Sequence, residues 1–465
     1  MSRSTLQRTR GASTASWERA VHPDSITVDP VVSTSSQQPL RAARRSARPQ
    51  PYKIFHYVLL VYLFFYCSRI MELIPYAHIG LVLQPVLLIG MIMSGRTGAI
   101  LRLPLGKILI AFTCWVAICV PFSTWRGGSF GILLVTIQAL ALVAFMAAFI
   151  RTIPDCLRVM YTVAVSMAVV GVLSLVVGGG QAAVGGQTQR LGLGGGATTL
   201  ADANVLCLYI LIGLPFLWLT ASLKTGFKRV MLLSLMLPML AGAARTGSRM
   251  GLLILMAGLF LYFIFASAKQ RMTIIAGSVA FLVLALFFLP QGIKERFTTY
   301  FEAESAQSEE AAESAEFRKM LLIRGLEMTA KHPLFGVGPG EFMDAEAKEA
   351  GEEGQRGMWH YTHNSYVELS SETGVIGAVL FVVALFGAYR GLSPIRKRNP
   401  QARVRRAALF TQMAVVMTAV GAAFLSLAYG AIVVAVIGIS ATFQAAAAND
   451  ARLRRASAVI KPINP

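Results

Sequence analysis

The chain alternates apolar runs with short polar breaks. A membrane-crossing helix needs about 20 mostly apolar residues. Twelve stretches meet that description, centred near residues 62, 84, 113, 139, 167, 211, 236, 258, 281, 378, 416 and 436. This pattern predicts an all-α fold, a polytopic transmembrane helix bundle of about 12 spans. Two hairpins are tight: only "ARTGSR" parts the spans near 236 and 258, and little more than "AYG" parts the last two. One break is long, at residues 291–364. Within it Arg318, Leu321, Leu322, Gly325 and Met328 recur at helical spacing, which predicts an amphipathic helix ending near His332 and Pro333. The predicted organisation is a disordered basic tail at 1–52, spans one to nine at 53–290, a large partly helical loop at 291–364, spans ten to twelve at 365–446, and a second tail at 447–465.

Composition agrees and removes the soluble alternatives. The 465 residues are 55% hydrophobic and 14% charged, with a mean hydropathy of +0.60, far from the mix of soluble domains. A net charge of +20 would point to nucleic acid in a soluble protein. In a membrane protein basic residues first report orientation, so no nucleic-acid partner is expected. With the N-terminus inside, alternate loops and the two tails hold 30 of the 43 basic residues, while the long loop carries 14 acidic against 8 basic residues. Both termini are therefore expected in the cytoplasm and the long loop on the periplasmic side. The first fifty residues lack the apolar core of a signal peptide and read as a tail with nothing to cleave. The five cysteines show no paired spacing and read as packing residues.

Charge placement then supplies candidate chemistry. Arg126, Arg190, Arg245, Arg249, Arg318 and Arg324 fall on the outer side, against the rule. Each arginine alone can snorkel to headgroups. A converging set suits a lipid-linked phosphate or pyrophosphate, because guanidinium grips phosphate bidentately and keeps its charge. "GVGPG" has neither the Lys-Ser/Thr of a P-loop nor a dinucleotide site's strand-to-helix context, so it reads as a tight turn. The histidines lack ligand-like partners on a common helix, and no metal or cofactor is expected. The acidic runs "EAESAQSEEAAESAE" and "EAKEAGEEG" have the composition of solvated, flexible segments.

The stretch "THNSYVELSSETGVIGAVLF" combines an apolar span with His363, Asn364 and two carboxylates. A helix starting near Asn364 places Asn364, Glu368 and Glu372 on one polar stripe. Asn364 fits an N-cap. Glu372 lies more than two turns inside, where an ionisable group normally faces a bundle interior or a wet cavity.

These residues resemble the O-antigen ligase and O-antigen polymerase superfamily of bacterial membrane glycosyltransferases. The resemblance rests on "TGSRMG", on Arg318 fifteen residues before the proline of "HPLFGVGPGEF", and on "HNSYVELSSETGVIG", together covering residues 246–377. Gly251 follows Arg249 by two positions where the family more often has it next, and aliphatics replace the aromatic usual after Arg318. The resemblance implies an inner-membrane enzyme with a periplasmic active site. Its donor would be an undecaprenyl-pyrophosphate-linked glycan and its acceptor a lipid A core or glycan hydroxyl. Arg249 and Arg318 would stabilise the pyrophosphate leaving group, and His363 would act as general base or orient the hydroxyl. Arg245, Arg324, Asn364 and Glu372 are the candidate substrate-binding residues. No metal is implied, and attack opposite the leaving group would invert the anomeric centre. O-antigen ligation and O-antigen or exopolysaccharide polymerisation both fit these motifs. A transporter or lipid flippase is the alternative of another class, although no internal repeat is visible.

Overall fold

The computed structural model describes residues 52–74, 79–179, 190–194, 198–288 and 306–459; the predicted tail at 1–51 and loop residues 289–305 lie outside them. Among the described residues the architecture is helical. In chain order the bundle runs α1 (Tyr52–Ser68), α2 (Ile79–Met93), α3 (Pro104–Cys119), α4 (Arg126–Phe149), α5 (Ile153–Val176) and α6 (Ala203–Ser222). It continues through α7 (Gly226–Ser234), α8 (Met236–Arg245), α9 (Arg249–Phe265) and α10 (Ala268–Phe288). The long loop contributes α11 (Ala306–Lys331) and α12 (Phe342–Glu352). The chain returns through α13 (Ser365–Arg390), α14 (Ser393–Arg398), α15 (Ala402–Ala422) and α16 (Ala431–Val459). Every predicted span centre falls inside one of these helices. Among the described residues seven segments are long and apolar enough to cross a membrane, and α1, α2 and α9 are shorter apolar helices. The span near 236 is made of two pieces, α7 and α8, with a join at Leu235.

Local signals set the helix starts. Thr152 and Asp155 form a reciprocal capping box on α5, behind Pro154. Asp202 caps α6 through the backbone N–H groups of Asn204 and Val205, and Ser248 caps α9 through that of Gly251. Asn364 caps α13 as its residue type predicts, accepting from the Tyr366 and Val367 N–H groups. The bundle centre is α6 and α16, whose spanning windows are 78% and 72% buried, so the other spans wrap around them.

Three boundaries differ from the sequence reading. The acidic run at 302–316 is helical from Ala306 as the start of α11, and "EAKEAGEEG" is mostly α12. Alanine and glutamate are strong helix formers. Burial of Leu321 and Met328 against Phe342 and Ala345 supplies the packing that composition alone hides. At the other end α16 continues past residue 446 to Val459, so much of the predicted second tail is helix.

Candidate functional site

The long loop is fastened to the bundle at a break in α13. Gly374 has φ 69° and ψ −179°, so the helix is interrupted inside its apolar stretch. A chain break within a membrane span must have its released backbone groups paired by protein, and the glycine-rich turn after α11 does that pairing. Val337 and Gly338 donate their N–H groups to the Ser371 and Glu372 carbonyls at 2.8 and 3.0 Å, and Val375 N–H donates to the Pro333 carbonyl at 2.9 Å. Trp115 Nε1 of α3 donates to the Thr373 carbonyl at 2.8 Å. Phe335 stacks between Trp115 and Phe122, with ring centroids 5.7 and 4.1 Å away. A Cβ on Gly336 would collide with Glu372 backbone and one on Gly374 with the Leu334 carbonyl, so both positions require glycine.

Glu372 is the side-chain half of this fastening. It is 1% exposed, and its carboxylate accepts from Gly340 N–H at 2.8 Å, Phe342 N–H at 3.3 Å and the Tyr429 hydroxyl at 2.9 Å. Glu368, one turn earlier, is buried and accepts from Ala428 N–H. The polar stripe therefore faces the loop and the α15–α16 turn. It holds the long loop in place.

His363 stands just before the Asn364 cap, half-buried, in the left-handed region at φ 51°. Histidine visits that region more often than most residues, yet the conformation costs energy and marks functional positions often enough to be informative. Burial lowers its imidazole pKa below 6.5, the nearby Arg318 guanidinium lowers it further, and Asp202 pulls the other way. The structure thus brings residues 202, 318 and 363 into one electrostatic neighbourhood. Arg318 itself is exposed on α11.

Asp202 leads to the second arginine. Two residues on, the Asn204 side-chain oxygen accepts from Arg190 Nη2 and from Ser248 Oγ, both at 2.8 Å. Arg190 Nε also donates to the Thr246 carbonyl at 3.2 Å. This network locks the α8–α9 hairpin onto the start of α6 and presents the half-buried Arg249 as the first residue of α9. Arg245, in the last turn of α8, is exposed beside it. Arg324 is placed differently: it makes a bidentate pair with Glu353, a hydrogen bond to Gln355 and a contact to Glu327, tying α11 to the end of α12.

Sequence reasoning missed Asp202, Asn204 and Tyr429, whose partners lie far along the chain. It also missed Glu341, which is 2% exposed, packs against Gly128 of α4 and has an Oε2 without a hydrogen-bond partner. Burial, then the charge of Asp344, raises its pKa to about 7. A hint was available for Asp202 and Ser248 alone, as cap-type residues directly before apolar runs.

The family model described as O-Antigen ligase matches residues 234–382, which run from α7 to the middle of α13 and contain Arg245, Arg249, Arg318, Arg324, His363, Asn364 and Glu372. The resemblance to the O-antigen ligase and polymerase superfamily is thereby supported over the same stretch that carries the motifs. No curated protein matches the chain.

Proposed function

We propose that the protein is an inner-membrane glycosyltransferase that moves a glycan from an undecaprenyl-pyrophosphate carrier to an acceptor hydroxyl at the periplasmic face, as in ligation of O-antigen to lipid A core. The observation that supports this reading is that His363 feels the charges of both Arg318 and Asp202, and that Asp202 lies two residues before Asn204, whose hydrogen bond with Ser248 holds the start of the Arg249 helix. The acceptor oxygen attacks the anomeric carbon while its proton passes to the His363 imidazole. The bond from that carbon to the pyrophosphate oxygen breaks, the electron pair leaves with the pyrophosphate, and the configuration inverts. Arg249 and Arg318 stabilise the charge that develops on the leaving group, taking the place of a divalent cation. A histidine kept neutral by burial and a neighbouring cation is ready to accept a proton at neutral pH. Asp202 positions and tunes that imidazole, and Arg245, beside Arg249, extends the anion-binding surface. Asn364 and Glu372 act on substrate by fixing the backbone around His363 and the loop above it.

The test uses purified full-length protein, a lipid-pyrophosphate glycan donor and its acceptor, with excess EDTA. Transfer should persist. Activity abolished by EDTA and restored by magnesium or manganese overturns the metal-free mechanism. Deletion of the gene, read on gels of surface glycans, separates the two reactions of the superfamily. Loss of polymer from lipid A marks a ligase, and loss of long chains alone marks a polymerase.

A further inference from the structure

A concavity lies toward the end of α9 remote from Arg249. It has a volume of about 1120 Å³ and is framed by α6, α8, α9, α10 and α15. That exceeds the roughly 300–1,000 Å³ of ordinary small-molecule sites. Its wall is apolar: Leu214, Met413 and Met417 line it, together with a cluster of Trp218, Tyr262 and Phe410 whose ring centroids are 4.6 to 5.6 Å apart. Its mouth is basic. Arg229, Lys269, Arg396, Arg405 and Arg406 line it, and no Asp or Glu does.

The basic side chains are held in place by uncharged groups. Arg396 lays its guanidinium 3.5 Å over the Phe265 ring and donates Nε to Gln412 at 2.8 Å. Arg405 donates to the Asn399 carbonyl at 2.9 Å, and Arg406 to the Ser222 carbonyl at 3.4 Å. Among the described residues none of the five is in an ion pair with a carboxylate. Each guanidinium has five N–H donors, so these contacts orient the groups and leave donors for an anion. The mouth is at the Phe265 end of α9, whose 17 residues separate it from Arg249 by roughly 25 Å. It is a site apart from the proposed catalytic one.

We propose that this concavity holds a diacyl phospholipid with an anionic headgroup, its phosphate at the five basic residues and its acyl chains along the Trp218–Tyr262–Phe410 wall. Charge complementarity selects the headgroup, since basic openings between membrane helices attract anionic lipid while a zwitterionic headgroup gains little there. Depth selects the tails: an apolar cavity of this size beside α10 would otherwise expose its lining. On the orientation proposed above, the mouth faces the cytoplasmic leaflet.

The experiment is native mass spectrometry of the full-length protein released from nanodiscs containing equal phosphatidylglycerol and phosphatidylcholine. Retention of one phosphatidylglycerol in preference to phosphatidylcholine is expected. Arg405→Gln/Arg406→Gln should weaken it roughly thirtyfold, from two surface-type charge contacts. Lys397→Gln/Arg398→Gln, which removes the same charge from exposed α14 positions outside the lining, should leave it unchanged. Leu409→Trp, which fills the cavity and keeps every charge, should also lose the lipid; it decides the matter if the arginine pair fails to fold. Equal retention of the two lipids, equal loss in the arginine pair and the α14 control, or retention of a polyprenyl phosphate instead of a diacyl lipid overturns the proposal. Lipid retention does not depend on glycan transfer, so this result stands apart from the test of the enzymatic reading.

Discussion

The Tyr429 hydroxyl donates a 2.9 Å hydrogen bond to Oε2 of Glu372, joining the α15–α16 turn to the break in α13 across 57 residues of chain. The same carboxylate receives the Gly340 and Phe342 N–H groups from the long loop. Glu372→Ala should leave three donors without their acceptor, of which the Phe342 N–H is buried, at about 1–3 kcal/mol for each that water cannot reach. A lowered thermal midpoint and faster protease cleavage between α11 and α13 are expected, with Tyr429→Phe milder. Gly374→Ala, which forces a Cβ into the Leu334 carbonyl at φ 69°, should be at least as damaging. Unchanged protease resistance in Glu372→Ala and Gly374→Ala would show that the loop is held by other contacts.

Arg249→Ala and Arg318→Ala should each lower the rate of glycan transfer by about 10²–10³-fold, the usual effect of removing one donor that stabilises transition-state charge. Lysine at either position should restore only part, since it offers a point charge without the planar fork. His363→Ala should cost about 10²–10⁴-fold. Immunoblots of membranes are expected to show normal amounts of each variant. A fully active alanine variant reduces that arginine to an interfacial anchor.

The pH profile has a defined sign. His363 carries a pKa below its ordinary 6.5, so it stays neutral, and able to accept a proton, until the pH falls below that value. The acid limb of kcat/KM should therefore have its midpoint below 6.5. Replacing Asp202, which raises the imidazole pKa, by Asn should move the limb to lower pH while still capping α6. Arg318→Gln should move the limb of its residual activity to higher pH, because a cation that favoured the neutral ring is gone. Shifts in the same direction for both variants contradict the arrangement.

Glu341 provides a stability test. Its folded pKa is raised from 4.5 to about 7 by burial, so the unfolded chain ionises first. Below pH 4.5 both states are protonated and the group is neutral to folding; the penalty grows through the interval and is complete above about 7. Glu341→Gln should raise the thermal midpoint at pH 8 and change it little at pH 4.5. Equal effects at both pH values would refute the linkage.

Orientation can be read by labelling, in a background without the exposed Cys114. A cysteine at Lys348, exposed on α12, should react with a membrane-impermeant reagent in intact spheroplasts. One at Lys397, exposed on α14, should react only after lysis. The reverse pattern would invert the bundle and move every proposed site residue to the cytoplasmic face.

The all-helical, polytopic class and the positions of the apolar helices were legible in the sequence, as was the start of α13, because membrane insertion is decided locally: about 20 apolar residues suffice, and a cap residue acts within one turn. Asn364 is such a case, since its partners are two and three residues away. The roles of Glu372 and Arg324 were not legible. A polar stripe can face substrate, lipid headgroups or protein, and only the folded chain decided that Glu372 meets Gly340, Phe342 and Tyr429 while Arg324 is taken up by Glu353. Asp202 has the residue type of a helix cap, whereas nothing local marks Asn204, which gains its part from Ser248, 44 residues away. Helix formation follows short-range pattern, whereas the pairing of charges and the making of a site depend on which distant segments packing brings together.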